Sequence, residues 1–157
     1  MVKVLFICTG NICRSPTAEG VFRALVQSKL LEDQIKIDSV GTGSWHVGKS
    51  PDIRSQQAAI LRGFDLSNLR ARLINPKDIF KHDYLIAMDT TNMETLRPMV
   101  PPKMCGKLSR FLDFAPNIER IDVPDPYYNE KEGFELVLDL VEEASLGLLT
   151  HIQDNDL

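Results

Sequence analysis

Cys8 and Arg14 stand six residues apart in the segment Cys8-Thr9-Gly10-Asn11-Ile12-Cys13-Arg14-Ser15, and both side chains are suited to phosphate chemistry. A thiol held where backbone amides and a helix amino end converge is ionised more easily, so Cys8 is expected to be a thiolate nucleophile at neutral pH. The planar fork of Arg14 matches two oxygens of a phosphoryl group and compensates the charge that spreads over them in a loose transition state. Gly10 and Asn11 tolerate left-handed backbone angles, which a loop that curls its amides inward requires. Ser15 is placed to donate its hydroxyl to the sulfur. A Cys and an Arg at this spacing also recur by chance, and Cys is often simply buried. What gives the pair weight is its place at a strand-loop-helix junction.

A leaving alkoxide or phenolate needs a proton, and Asp125 offers one in Asp125-Pro126-Tyr127-Tyr128. Pro124 and Pro126 restrict the backbone on both sides of it, so the carboxyl is expected on an extended loop rather than within a helix. Tyr127 and Tyr128 can wall a cleft and stack on an aromatic leaving group, with Trp45 as a facing wall; ordinary packing accounts for Trp45 equally well. Cys13 lies on the same loop as Cys8, so it is either a reversible disulfide partner or a small buried side chain. Cys105 has no partner motif and reads as structural. His46, His82 and His151 are isolated and read as loop or surface residues. Neither Gly-x-x-x-x-Gly-Lys-Ser/Thr nor Gly-x-Gly-x-x-Gly occurs, so a nucleotide site would have to be built another way, and no His/Cys cluster has zinc-ligand spacing.

The elements that must position these groups alternate. Val2 to Cys8 is β-branched and nearly all apolar, as in a strand buried on both faces of a parallel sheet. Ala18, Val21, Phe22, Leu25 and Val26 then fall at helical spacing, with Ser15 as candidate cap and Pro16 in the first turn. Ile35 to Val40 reads as a second strand, Pro51 to Gly63 as a helix, Tyr84 to Met88 as a third strand, Thr91 to Leu96 as a helix and Lys107 to Phe111 as a fourth strand. Phe134, Val137, Leu138, Val141, Ala144, Leu148 and Leu149 mark one face of a last helix, for which Asn129 and Glu132 resemble a capping box; Gln153 to Leu157 reads as a frayed tail. This pattern predicts an α/β fold with helices on both faces of a parallel sheet, and a ligand crevice beyond the carboxyl ends of the strands.

The 157 residues, 43% hydrophobic, fit one globular domain across 1–157. A net charge of −4 argues against a broad basic surface for nucleic acid or anionic lipid. No apolar run approaches membrane-spanning length, the start lacks a signal-peptide pattern, and three cysteines are too few for a disulfide framework; a cytoplasmic location is the expectation.

The Cys8 to Pro16 segment together with Asp125-Pro126-Tyr127-Tyr128 resembles the low-molecular-weight protein tyrosine phosphatases. The likeness continues through Asp38-Ser39-Val40-Gly41-Thr42, Trp45-His46-Val47-Gly48, Ala71-Arg72 and Ala87-Met88-Asp89. It implies a Rossmann-like three-layer sandwich around a four-stranded parallel sheet. It also implies a phosphocysteine on Cys8, phosphate bound by Arg14 and the loop from Thr9 through Ile12 and Cys13, and Asp125 as acid and then base, with no metal or cofactor. Asn11, Ser15 and Ser39 would support the loop through hydrogen bonds, and Trp45, Tyr127 and Tyr128 would line the entrance. The substrate implied is a phosphotyrosine protein or a small aryl phosphate, the enzyme a monomer or weak homodimer. Two residues depart from the pattern: Leu69 stands where many members carry a histidine that supports the asparagine, and Thr9 replaces a common leucine. An arsenate reductase of the same fold would need further cysteines, and only Cys105 is available. A non-enzymatic phosphotyrosine-binding module would gain nothing from keeping both a nucleophile and an acid.

Overall fold

A computed structural model describes residues 1–157. The first strand, β1 (Val2–Cys8), alternates its side chains between two apolar layers: Val4, Phe6 and Cys8 enter one, Leu5 and Ile7 the other. Both faces are therefore covered, which explains its unbroken apolar run. The chain continues through α1 (Arg14–Ser28) to β2 (Ile35–Gly41), then α2 (Ile53–Ile60), α3 (Pro76–Lys81) and β3 (Tyr84–Ala87). It finishes with α4 (Thr90–Leu96), the short β4 (Leu108–Arg110) and the long α5 (Lys131–Asp156). All strand pairs are parallel, in the order β2-β1-β3-β4.

The larger core layer joins the β1 face carrying Phe6 to α1, α2 and α5; Phe6 meets Phe22 edge-on at 5.6 Å and Phe111 at 5.1 Å between centroids. The smaller layer joins Leu5 and Ile7 to Ile79 of α3 and to Met93 and Leu96 of α4. Helices on two faces of a four-stranded parallel sheet are the expected architecture. No helix is long and apolar enough to cross a membrane.

Several local expectations are corrected. The first helix starts at Arg14 with Cys13 as N-cap, so Ser15 lies inside the first turn and its hydroxyl is free for the loop. The last helix is capped from Glu130 with no side-chain bond, so Asn129 and Glu132 form no capping box. It runs to Asp156, whose carboxylate accepts from the Tyr84 hydroxyl, so the end of the chain is helical rather than frayed. The fourth strand spans only Leu108–Arg110, and α3 was not anticipated. Its signal is local: Asn75 accepts from the Lys77 amide, Asp78 reciprocates to the Asn75 amide, and Pro76 occupies the first position. Cys105 is exposed and builds no core.

Candidate active site

From β1 the chain passes to β2 on one side and then to β3 on the other, so the strand order reverses at the carboxyl ends of β1 and β3. Loops diverge there and leave a crevice. Cys8 ends β1 and Asp89 follows β3, which places both at its floor.

The loop from Cys8 to Arg14 is fixed from outside through its carbonyls. Cys8 O accepts from the Thr42 amide, Thr9 O from Gly43 and Ile12 O from Asp52, while Cys13 O accepts from Thr17. With these carbonyls turned outward, the Asn11 amide points inward: it lies 3.3 Å from Cys8 Sγ and donates to it. Asn11 adopts φ +55°, as its residue type allows. Gly10 does not share that conformation, and its smallness answers a steric need: a Cβ would sit 3.0 Å from the His46 ring. The inward amides and the amino end of α1 together make a concave anion site.

Around the sulfur the polar groups form one connected set. Ser15 Oγ is 3.0 Å from Cys8 Sγ, and Asn11 Nδ2 donates to Ser15 Oγ (2.7 Å) and to Ser39 Oγ (3.0 Å). Asn11 Oδ1 accepts from the Arg72 amide at 3.0 Å. The asparagine is thus held by two serines and a backbone amide, while Leu69 is a partly buried apolar neighbour of the core. Asn11, Ser15 and Ser39 therefore sit where loop support was expected.

Arg14 is buried, and it is oriented by Thr9 of the phosphate loop and by Asp89 and Val123, to which the sequence pattern assigns no role. Its Nη1 donates to Asp89 Oδ2 at 2.5 Å and to Val123 O at 3.0 Å, and its Nη2 reaches Thr9 Oγ1 at 3.4 Å. Burial alone would lower its pKa, but the Cys8 sulfur and the Asp89 and Asp125 carboxylates outweigh that and push it up. The same Val123 sends its amide to Met88 O, so the segment before Pro124 is pinned beside β3 and Asp125 follows directly. Asp125 Oδ2 lies 3.6 Å from Arg14 Nη2, on a side chain half exposed at the cleft. Burial raises the Cys13 pKa to about 12, with the Asp52 carboxylate adding to it, so Cys13 is a buried protonated thiol at neutral pH.

The cleft above has a volume of about 460 Å³ and is walled by Trp45, His46, Tyr127 and Tyr128 over the Cys8 loop. The two tyrosines meet edge to face at 4.9 Å, and His46 packs 6.0 Å from Tyr127. Arg54 steadies this wall: its Nη2 donates to Tyr127 O, and its guanidinium lies 5.6 Å from that ring. Trp45 and Tyr128 are 70% and 93% exposed, so they form a rim open to a large substrate rather than a closed pocket. His46, read as an isolated loop residue, is part of the wall; only its adjacency to Trp45 could have indicated that. No group of three or more His, Cys, Asp and Glu side chains is arranged to hold a metal.

A family profile described as "Low molecular weight phosphotyrosine protein phosphatase" matches residues 3–156. Low molecular weight protein-tyrosine-phosphatase YfkJ of Bacillus subtilis (strain 168) is 42% identical over 153 residues, 98% of this chain and 97% of the relative. A low molecular weight protein-tyrosine-phosphatase of Streptomyces coelicolor is 39% identical over 155 residues, 97% of this chain and 94% of the relative. The crystal structure of a protein tyrosine phosphatase from Entamoeba histolytica superposes with a TM-score of 0.96 at 35% identity, covering 100% of both chains.

Proposed function

The chain belongs to the low molecular weight phosphotyrosine protein phosphatase family, and from that premise we propose that Cys8, Arg14 and Asp125 carry out a two-step hydrolysis of aryl phosphate monoesters. The protein is a protein-tyrosine-phosphatase. The substrate is a phosphotyrosine side chain, whose ring fits between Trp45 and Tyr127 while its phosphate sits on the loop amides.

In the first step the Cys8 thiolate attacks phosphorus. An S–P bond forms, the P–O bond to the ring breaks, and Asp125 passes its proton to the departing phenolate oxygen. Arg14 and the amides of the loop hold the non-bridging oxygens as their charge redistributes. In the second step water attacks phosphorus and gives its proton to the Asp125 carboxylate. The S–P bond breaks, and the sulfur leaves as a thiolate that accepts from Ser15 and from the Asn11 amide. Thr9 and Asn92 brace Arg14 between turnovers, since Thr9 Oγ1 also accepts from Asn92 Nδ2 at 3.2 Å.

The observation that carries this reading is the meeting of two segments distant in sequence: the loop that runs from Cys8 at the end of β1 to the buried Arg14 guanidinium at the start of α1, and the proline-bracketed Asp125 carboxylate 3.6 Å from that guanidinium. Hydrolysis of p-nitrophenyl phosphate in EDTA tests it. Wild-type enzyme releases nitrophenolate with a burst equal to the enzyme concentration; Cys8→Ser, with its fold intact, releases none. Full turnover in that variant would overturn the assignment of the nucleophile. Asp125→Ala slows release by about 10²- to 10⁴-fold, more for poor leaving groups.

A further inference from the structure

Glu19 is a buried carboxylate on α1 that the two steps above do not use. It accepts from Ser39 Oγ at 2.6 Å and, through its other oxygen, from Arg23 Nη2 at 2.6 Å. An ionised carboxylate can only accept, so Ser39 must spend its one proton on Glu19. Ser39 Oγ is then left as an acceptor, which is how it receives Asn11 Nδ2. The Arg72 amide on Asn11 Oδ1 fixes which end of that side chain is nitrogen, and the second N–H of the nitrogen goes to Ser15 Oγ. Ser15 therefore accepts from Asn11, and its own proton is left for Cys8 Sγ at 3.0 Å or Val40 O at 3.3 Å.

We infer that Glu19 is a positioning residue: acting through Ser39 and Asn11, it orients the Ser15 hydroxyl as a donor to the Cys8 sulfur and so eases departure of the thiolate from the phosphocysteine. This rests on the two-step reading above. Burial raises the Glu19 pKa and the neighbouring Asp38 carboxylate of β2 adds to it, while the Ser39 hydroxyl and Arg23, more exposed on the same helix, pull it back toward the ionised form.

Glu19→Gln is the informative variant. Arg23 can only donate, so the amide oxygen turns to Arg23 and the amide nitrogen faces Ser39, which sets a second donor against the Ser39 oxygen beside Asn11 Nδ2 and loosens the hold on Asn11. The expected result is a phosphoenzyme decay about two- to tenfold slower, read as a lower kcat after an undiminished burst of nitrophenolate. In a Ser39→Ala background the same substitution changes kcat by less than about twofold, because the link is already cut. A merely structural role would instead lower the melting temperature in both backgrounds and leave the ratio of burst to steady state unchanged; that result overturns the inference. If Glu19→Gln does not fold, Arg23→Met replaces it. Loss of the cation lets Glu19 take up a proton at higher pH, so the acid limb of kcat moves upward only when Ser39 is present; an unmoved limb overturns the inference. Loss of turnover in Cys8→Ser with normal kinetics in the Glu19 variants removes the relay and leaves the nucleophile assignment standing.

Discussion

At the scale of the residue, the proposed chemistry depends on how the Arg14 guanidinium is held. Cys8, Arg14 and Asp125 carry unusual chemistry at telling positions, whereas Asp89 and Val123 reach Arg14 only because β3 lies beside β1. Asp89 is the partner to test. Asparagine caps a helix about as well as aspartate, so Asp89→Asn keeps the cap on α4 while removing the charge that anchors Arg14. Inorganic phosphate should then inhibit at about tenfold higher concentration, as expected for loss of a charge-assisted hydrogen bond. Unchanged inhibition would show that Arg14 needs no anchor. Cys13 provides a second test. Its raised pKa means that it remains a thiol below about 12, and it is buried as well. Iodoacetamide at about pH 8 should therefore leave Cys13 unmodified in the folded protein while exposed Cys105 is labelled, and should reach Cys13 only in denaturant; peptide mass analysis reads both.

At the scale of the element, the strands and most helices were readable because burial imposes a period, and α3 was not because it is made by its caps. The helix α3 has only six residues and depends on Asn75, Pro76 and Asp78. Asp78 also receives both terminal nitrogens of Arg72, each at 3.0 Å, and Arg72 in turn holds Asp38 and sends its amide to Asn11. A cap that looks local thus helps to fix the loop around Cys8. Burial would raise the Asp78 pKa, but the Arg72 fork and the Asn75 amide win and lower it. With a folded value below the unfolded value of about 4, Asp78 contributes stability above that value and loses it as pH falls through the folded one. Asp78→Asn should therefore lower the melting temperature more at pH 7 than near pH 3. An equal loss at both values would assign the effect to packing alone.

At the scale of the whole molecule, the alternation of elements implied a parallel sheet but not its strand order, since the order depends on which side of β1 each crossover returns. That order creates the reversal between β1 and β3 where Cys8, Arg14 and Asp125 converge. The sheet must stay rigid for the convergence to persist, and α5 supplies more of the larger core layer beside it than any other helix. The helix begins just after the Tyr127-Tyr128 wall and ends where Asp156 meets Tyr84 at the start of β3, so it spans the sheet from its functional edge to the opposite one. The helix passes close to a neighbouring backbone at Gly147, where an added Cβ would lie 1.8 Å from the Phe114 carbonyl oxygen. A backbone atom cannot rotate away as a side chain would, so Gly147→Ala must shift the helix. The expected cost is about 1–3 kcal/mol, a fall of about 2–12 °C in the melting temperature. Because the strain enters at the half of α5 remote from the tyrosine wall, kcat measured well below the transition should stay within about twofold of wild type. A large fall in kcat at unchanged stability would mean that α5 transmits displacement to the cleft rather than absorbing it.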